Sequence, residues 1–183
     1  KNRVAELLDP EIFSIIDEDK LGHIALSANK DKIKETFGGE VIGQDGEVDR
    51  KKLGPIVFAS QENLEKLNSI SHPWMVEETL RLAKEISDSG KIAVINAAIL
   101  EKMGLDAYCD EFIFVLSSYE KREERALKRD GITKEAFKAR AASQADIGQR
   151  LFSSGKKVVT IINNSTEDAL SRQIENYCAT MKK

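Results

Sequence analysis

Cysteine, proline, histidine and tryptophan are all scarce in this sequence of 183 residues, which has two cysteines, three prolines, two histidines and one tryptophan. Cys109 and Cys178 lie far apart and lack metal-site spacing, so we expect free thiols in a reducing compartment. No run approaches the roughly 18 apolar residues of a membrane-spanning helix, and no apolar N-terminal segment predicts a signal peptide. The sequence therefore predicts a cytoplasmic protein with no membrane partner.

The charge balance argues against nucleic acid as a partner. The chain has 28 basic and 31 acidic residues, and a net charge of −3 argues against binding to nucleic acid. A local cluster of basic residues is still compatible with a small anionic ligand. With 41% hydrophobic and 32% charged residues, the composition is that of a globular protein, and the length suits one α/β domain.

Short apolar runs rich in β-branched residues alternate with helical patterns along the chain. Strands are predicted at 12–16, at the start of 91–100, at 111–118 and at 157–165. Helices are predicted at 2–8, 20–36, from 49 onward, 61–70, 74–88, 119–130, 133–144 and after 165. This alternation predicts an α/β fold with a parallel sheet covered by helices on both faces.

Local signals predict where some of these helices begin and end. Asp49 and Ser165 are suitable N-cap residues, and Asp168 resembles the acid of a capping box that opens at Ser165. Pro73 after His72 is expected to separate two helices, because a proline disfavours helical backbone in the residue before it.

Asp17 and Asp19 directly follow the predicted strand at 12–16. In extended backbone they would point to the same face, where a pair of acids can supply a general base or hold a divalent cation. Alternatively, both are solvated residues that open the next helix, where acids suit the helix dipole. Spacing alone leaves both interpretations open.

A run of basic residues follows the strand predicted at 111–118. It comprises Lys121, Arg122, Arg125, Lys128, Arg129, Lys134, Lys138 and Arg140. Converging arginines match the oxygens of a transferring phosphoryl group. Acidic residues are interleaved at 120, 123 and 124, so a solvated helix crossed by ion pairs is an equally open interpretation.

The two histidines carry little specific signal. His72 lies between two predicted helices, where a lone histidine is more often structural than catalytic. His23 fits a position on a helix surface. Neither belongs to a Cys/His cluster or to a serine–histidine–acid arrangement visible in the sequence.

Taken in order, segments along the chain resemble the dephospho-CoA kinase family. IIDEDKLGH (15–23) resembles its Ile-Asp-Ala-Asp…His segment, and FGGEVIGQDGEVDRKKLGPIVF (37–58) its Phe-Gly…Asp-Gly…Asp-Arg segment. Further matching segments are LEKLNSISHP (64–73), MGLDAYCDEFIFV (103–115), REERALKRDGITKEAFKARAASQ (122–144) and VVTIINNST (158–166). The ordered set spans nearly the whole chain and is more specific than any single segment.

The resemblance implies a P-loop kinase of the nucleoside-monophosphate-kinase type with a three-layer α/β/α core. The core would comprise 1–39, 91–118 and 151–183, the helical CoA-binding region 40–90, and the lid 119–150. Such an enzyme transfers the γ-phosphoryl group of ATP to the ribose 3′-hydroxyl of dephospho-CoA with Mg²⁺. The implied partners are these small molecules, without nucleic acid or membrane, and the implied state is a monomer or small homo-oligomer.

The resemblance also implies roles for individual residues. Asp19 would be the general base that accepts the hydroxyl proton, and Asp17 would support it or hold Mg²⁺ through water. His72 would lie in the region that receives the pantetheine end of the substrate. The groups implied for ATP binding are Lys1, Asn2, Arg3, Arg125 and Arg140, with Lys1 also catalytic and Asn2 also a metal ligand.

The sequence departs most from the family at the glycine-rich loop, Gly-x-x-x-x-Gly-Lys-Ser/Thr. Its glycines are absent, and Lys1 takes the place of the loop lysine, with Asn2 in place of the Ser or Thr. We expect further residues before Lys1 in the natural chain, because the family's first strand pairs with neighbours on both sides. Segment 95–102 lacks the family's Pro-Leu-Leu, and Val76 stands where an arginine is common.

Two other kinds of protein are compatible with these departures. One is another small-molecule or nucleotide kinase of the same fold. The other is a non-catalytic relative that binds nucleotide or CoA without turnover.

Overall fold

A computed structural model of the chain describes residues 1–142 and 147–182, except for the side chains of Asp130 and Arg140. The chain divides into two compact units. One comprises Lys1–Phe13 with Ala98–Lys183, and the other comprises Ser14–Ala97. Each unit is described separately.

The unit formed by Ser14–Ala97 is mostly helical. Its elements are β1 (Phe13–Asp17, whose first residue belongs to the other unit), α2 (Glu18–Ala28), α3 (Lys30–Phe37), a 3₁₀ turn (Gly39–Val41), α4 (Arg50–Phe58), α5 (Gln61–Asp88) and β2 (Ile92–Asn96). β1 pairs with β2 in a two-stranded sheet. A core of Ile33, Phe37, Val41, Leu53 and Val57 forms where α3, the turn and α4 meet. Burial of these apolar side chains stabilises the unit.

The other unit contains the remaining elements. They are α1 (Asn2–Leu7), two 3₁₀ turns (Leu100–Met103 and Leu105–Tyr108), β3 (Glu111–Leu116), α6 (Tyr119–Asp130), α7 (Lys134–Ala142), α8 (Gln149–Ser153), β4 (Lys157–Ile162) and α9 (Glu167–Met181). β3 and β4 are parallel and in register from Glu111 opposite Lys157 to Leu116 opposite Ile162. The rings of Phe13 and Tyr177 stack with centroids 5.9 Å apart, which anchors α9.

The predicted α/β class is confirmed, and each predicted strand is present within a residue or a few of its expected bounds. Asp49 is confirmed as an N-cap, since its carboxylate accepts a hydrogen bond from the Lys51 N–H at 2.9 Å. Over the described residues, the strands form two separate pairs, β1 with β2 and β3 with β4, and not one continuous sheet.

The prediction of one helix over 20–36 is wrong, because the helical pattern is broken at Asn29. The Asn29 side-chain amide donates a hydrogen bond to the Ala25 carbonyl at 2.9 Å, and its backbone has φ −113° and ψ 19°. A short amide side chain that bonds nearby backbone competes with helix continuation. The chain therefore forms α2 and α3 in place of one helix.

The prediction of two helices separated by His72 and Pro73 is also wrong. α5 runs without interruption through Pro73. Proline removes one helical hydrogen bond and costs about 3 kcal/mol in a helix interior. Buried Ser71, Met75 and Thr79 lie on both sides of Pro73, and α5 packs against α2 and α4. We infer that this packing outweighs the local cost.

The predicted N-cap of α9 is shifted by one residue. Thr166, and not Ser165, is the N-cap, and its hydroxyl accepts a hydrogen bond from the Ala169 N–H at 3.3 Å. Adjacent Ser and Thr offer the same capping hydroxyl, so local sequence does not distinguish them. The capping box from Ser165 to Asp168 is therefore not formed as predicted.

Candidate functional site

The first acid of the pair after β1 has a structural task. Asp17 ends β1 and caps α2, and its Oδ1 accepts hydrogen bonds from the N–H groups of Asp19 (3.0 Å) and Lys20 (3.3 Å). Asp19 is exposed in the first helical turn. The backbone is therefore not extended through both acids, and Asp17 holds the backbone of Asp19 directly.

Sequence reasoning missed the acid between them. Glu18 is 5% exposed, and its Oε1 accepts a hydrogen bond from the Thr79 hydroxyl at 2.6 Å. Burial raises the pKa of the Glu18 carboxyl, and the charges of Asp17 and Asp19 add to this effect, while the hydrogen bond from Thr79 opposes it. No local signal separates a buried glutamate here from a solvated one, because its partner lies on α5, far along the chain.

Basic groups lie close together in the unit that contains α1 and α6. The Lys1 ammonium donates a hydrogen bond to Asn2 Oδ1 at 3.1 Å. Arg125 and Arg129 lie within electrostatic range of the Lys1 backbone nitrogen. Lys1, Arg125 and Arg129 thus form a positive region that suits an anion.

Arg3 is engaged by two carboxylates of the same unit. Its guanidinium donates hydrogen bonds to Glu6, at 3.0 Å, and to Glu167 at the start of α9. The ion pair with Glu167 connects α1 with α9, whereas the pair with Glu6 lies within α1. The ATP-binding role of Arg3 stays a prediction beside this structural one.

Arg125 reaches across from α6 to the end of β4. Its guanidinium donates to the Asn163 carbonyl and to Asn163 Oδ1, each at 3.0 Å, and to the Ser117 hydroxyl at 3.3 Å. Arg140 belongs to α7, but its side chain lies outside the described part of the structure.

The two histidines both lie in the unit formed by Ser14–Ala97. His72 is on α5, and partial burial lowers the pKa of its imidazole. His23 Nε2 is 2.5 Å from an Arg50 guanidinium nitrogen. Because a guanidinium only donates, we assign Nε2 as the acceptor and place the His23 proton on Nδ1. His23 is exposed, as predicted for a residue on a helix surface, and it also links α2 to α4 through Arg50.

Two features are absent from the described residues. They contain no grouping of three or more His, Cys, Asp and Glu side chains that could hold a metal ion. No helix among them is long and apolar enough to cross a membrane.

Comparison with known proteins first defines the fold class. A dephospho-CoA kinase structure from Campylobacter jejuni superposes with a TM-score of 0.73 at 24% identity, covering 98% of this chain and 90% of that one. A structure from Thermus thermophilus superposes with a TM-score of 0.75 at 22% identity, covering 100% and 92%. The chain therefore shares the α/β fold of these two structures.

The sequence comparisons identify the family. A family model described as dephospho-CoA kinase matches residues 1–169. The dephospho-CoA kinase of Fusobacterium nucleatum subsp. nucleatum is 33% identical over 184 residues, spanning 99% of this chain and 92% of the relative. The chain belongs to the dephospho-CoA kinase family.

Proposed function

We propose that this chain transfers the γ-phosphoryl group of ATP to the ribose 3′-hydroxyl of dephospho-CoA, giving coenzyme A. The observation that carries the proposal is the family match over residues 1–169. It is supported by the exposed Asp19 carboxylate in the first turn after β1, whose backbone N–H donates a hydrogen bond to Asp17. In open α/β sheets, ligands bind beyond the carboxyl ends of the strands.

Asp19 is the proposed general base and contacts the reacting hydroxyl. A carboxylate within hydrogen-bonding reach can accept the hydroxyl proton as the phosphoryl group transfers. Its exposure makes it accessible to a substrate, and its N–H bond to Asp17 orients the turn that carries it. Asp17 supports Asp19 through this bond.

The positive region formed by Lys1, Arg125 and Arg129 is proposed to receive the ATP phosphates. Phosphoryl transfer depends chiefly on positioning and on neutralising charge that spreads over the phosphate oxygens. Arg3 and Arg140 are proposed as further phosphate contacts. The amide oxygen of Asn2 accepts a hydrogen bond from the Lys1 ammonium.

Mg²⁺ is proposed as the metal that accompanies ATP. Carboxylate and amide oxygens suit this hard cation, and Asp17 and Asn2 are the proposed ligands. A protein-only metal cage is not required, because Mg²⁺ at phosphoryl-transfer sites is held by one or two protein groups, substrate phosphates and water. When bound, the ion would neutralise charge on the transferring group.

The remaining assignments follow the family's organisation. We propose 40–90 as the CoA-binding region, which includes His72 and receives the pantetheine end, 119–150 as the lid, and the rest as the kinase core. We also propose a cytoplasmic location and a monomer or small homo-oligomer. Cys109 and Cys178 are both unpaired, which supports a reducing compartment.

The test is conversion of dephospho-CoA to CoA with ATP and Mg²⁺ by the complete natural chain, including any residues that precede Lys1, compared with the same chain carrying Asp19→Asn. We expect kcat to fall by about 10²–10⁴-fold while ATP binding is retained, because the variant loses only the base. Asp31→Asn is a matched control, since Asp31 is the exposed second residue of α3 as Asp19 is of α2.

Two outcomes would contradict the proposal. Equal loss of turnover and ATP binding in Asp19→Asn would assign Asp19 to structure and not to chemistry. Faster turnover of nucleoside monophosphates or shikimate than of dephospho-CoA would assign the chain to another kinase activity.

A further inference from the structure

Glu18 and Thr79 form a buried contact beside the proposed base. Glu18 lies between Asp17 and Asp19, yet its side chain is 5% exposed, and Thr79 is 0% exposed. The Thr79 hydroxyl lies 2.6 Å from Glu18 Oε1 and 2.7 Å from the Met75 carbonyl of its own helix. The contact joins the first turn of α2 to the middle of α5 within one unit.

This contact is not explained by packing stability alone. Burial of a carboxyl group is costly unless hydrogen bonds replace its hydration. Over the described residues, Glu18 Oε1 has the Thr79 hydroxyl as its partner, but Oε2 is buried without a hydrogen bond. An apolar side chain would pack at this position without that cost. The main effect of the pair is therefore to orient the first turn of α2 and not to add net stability.

The side of α2 from which the Glu18 side chain projects determines the side from which the Asp19 side chain projects. Successive residues in an α-helix are rotated by about 100°, because a turn contains 3.6 residues. With Glu18 held against α5, Asp19 must project from the neighbouring side of α2, where it is exposed. The Asp17 cap holds the same turn from its N-terminal end.

We infer that Glu18 and Thr79 are positioning residues whose hydrogen bond fixes the first turn of α2 against α5 and so aims the Asp19 carboxylate at the acceptor hydroxyl. This inference rests on the proposed function, in which Asp19 is the base. Catalytic groups need side chains whose orientation is held by their surroundings, and a displacement of about 1 Å can cost 10²-fold in rate. Glu18 and Thr79 act through Asp19 and do not contact the reacting atoms.

The test uses two substitutions of Thr79 that separate the hydroxyl from the shape. Thr79→Val keeps the volume and removes the hydroxyl, whereas Thr79→Ser keeps the hydroxyl and removes a methyl group. We expect Thr79→Val to lower kcat about tenfold, with the KM values for ATP and dephospho-CoA unchanged. Thr79→Ser should retain kcat within about twofold, although it leaves a small cavity that lowers Tm.

Controls separate positioning from general destabilisation. Thr36→Val removes a hydroxyl that bonds the Lys32 carbonyl of its own helix at 2.8 Å, and kcat should be unchanged. Glu18→Ala should lower kcat as Thr79→Val does, and the double variant should lose no more than either single one.

Several results would overturn the inference. They are an unchanged kcat in Thr79→Val, equal losses in Thr79→Val and Thr79→Ser, and a loss confined to KM. The proposed function is tested separately by Asp19→Asn. Full turnover in that variant contradicts the proposed function. Loss in Asp19→Asn with full turnover in Thr79→Val contradicts the inference alone.

Discussion

Arg125 on α6 is bonded to both the main-chain carbonyl and the side-chain Oδ1 of Asn163, which directly follows β4. Asn163 in turn donates its N–H to the Leu116 carbonyl at the end of β3 at 2.7 Å. The planar guanidinium therefore fixes the base of the proposed lid to the ends of two paired strands. A phosphate contact of Arg125 would be made by a guanidinium that Asn163 already orients.

The bidentate contact predicts that Asn163 contributes to ATP binding through Arg125. Arg125→Ala should raise the KM for ATP about tenfold, and Arg125→Lys should not restore it, because lysine lacks the planar fork. Asn163→Ala removes one of the two acceptor atoms. It should raise the KM for ATP about fivefold, which corresponds to the loss of about 1 kcal/mol expected for an exposed hydrogen bond to a charged group.

Arg122→Ala provides the control for loss of one arginine on the same helix. Arg122 lies over the Tyr119 ring, with its guanidinium carbon 5.9 Å from the centroid, and the KM for ATP should change less than twofold. Steady-state kinetics at saturating dephospho-CoA measures all of these variants. An Asn163→Ala enzyme with normal KM would show that Arg125 binds ATP without help from Asn163.

How far the sequence predicts this structure depends on whether a feature is local. Asp49 was predictable as an N-cap because its partner is the N–H of Lys51, two residues away. Continuation of α5 through Pro73 was not, since it depends on packing against α2 and α4. The burial of Glu18 was equally hidden, because Thr79 lies 61 residues further on.

The candidate site shows the same division. The position of Asp17 and Asp19 at the end of β1 followed from the apolar run before them. The roles proposed for them came from the ordered family resemblance, and spacing alone left them open. The attachment of Arg125 to Asn163 required the parallel pairing of β3 with β4, which places distant chain segments side by side.

His72 predicts a pH dependence of stability. Burial lowers the pKa of this imidazole in the folded chain below the ordinary value of 6.5. As the pH falls through 6.5, the unfolded chain takes up a proton at this site more readily than the folded chain, so the free energy of unfolding decreases. The contribution of neutral His72 to the free energy of unfolding is fully present above pH 6.5.

Urea denaturation at pH 7.5 and at pH 5.5 measures this effect. His72→Gln removes the titrating group, and the loss of stability between the two pH values should be smaller in the variant than in the unmodified chain. Carboxylates titrate in both proteins and cancel in the comparison. An equal loss in both would show that His72 protonates as readily in the folded chain as in the unfolded one.

Two substitutions of Asp17 should separate its role as a helix cap from the role of its charge. Asp17→Ala removes the oxygen that accepts from the N–H groups of Asp19 and Lys20, and it should lower the free energy of unfolding by about 1 kcal/mol. Asp17→Asn keeps an N-cap oxygen of similar strength and should change stability by less than about 0.5 kcal/mol. Only the second variant tests the charge of Asp17 in a correctly capped helix.

Activity at varied Mg²⁺ concentration then distinguishes the two proposed roles of Asp17. If its charge helps to hold the ion, Asp17→Asn should need about tenfold more Mg²⁺ for half-maximal turnover, because an amide is a weaker ligand than a carboxylate. Asp49→Asn is the matched control, since Asp49 caps α4 in the same way through the Lys51 N–H and is not a proposed metal ligand. Its Mg²⁺ requirement should equal that of the unmodified chain. If Asp17→Asn also keeps the normal requirement, Asp17 serves the site only by holding the helix turn that carries Asp19.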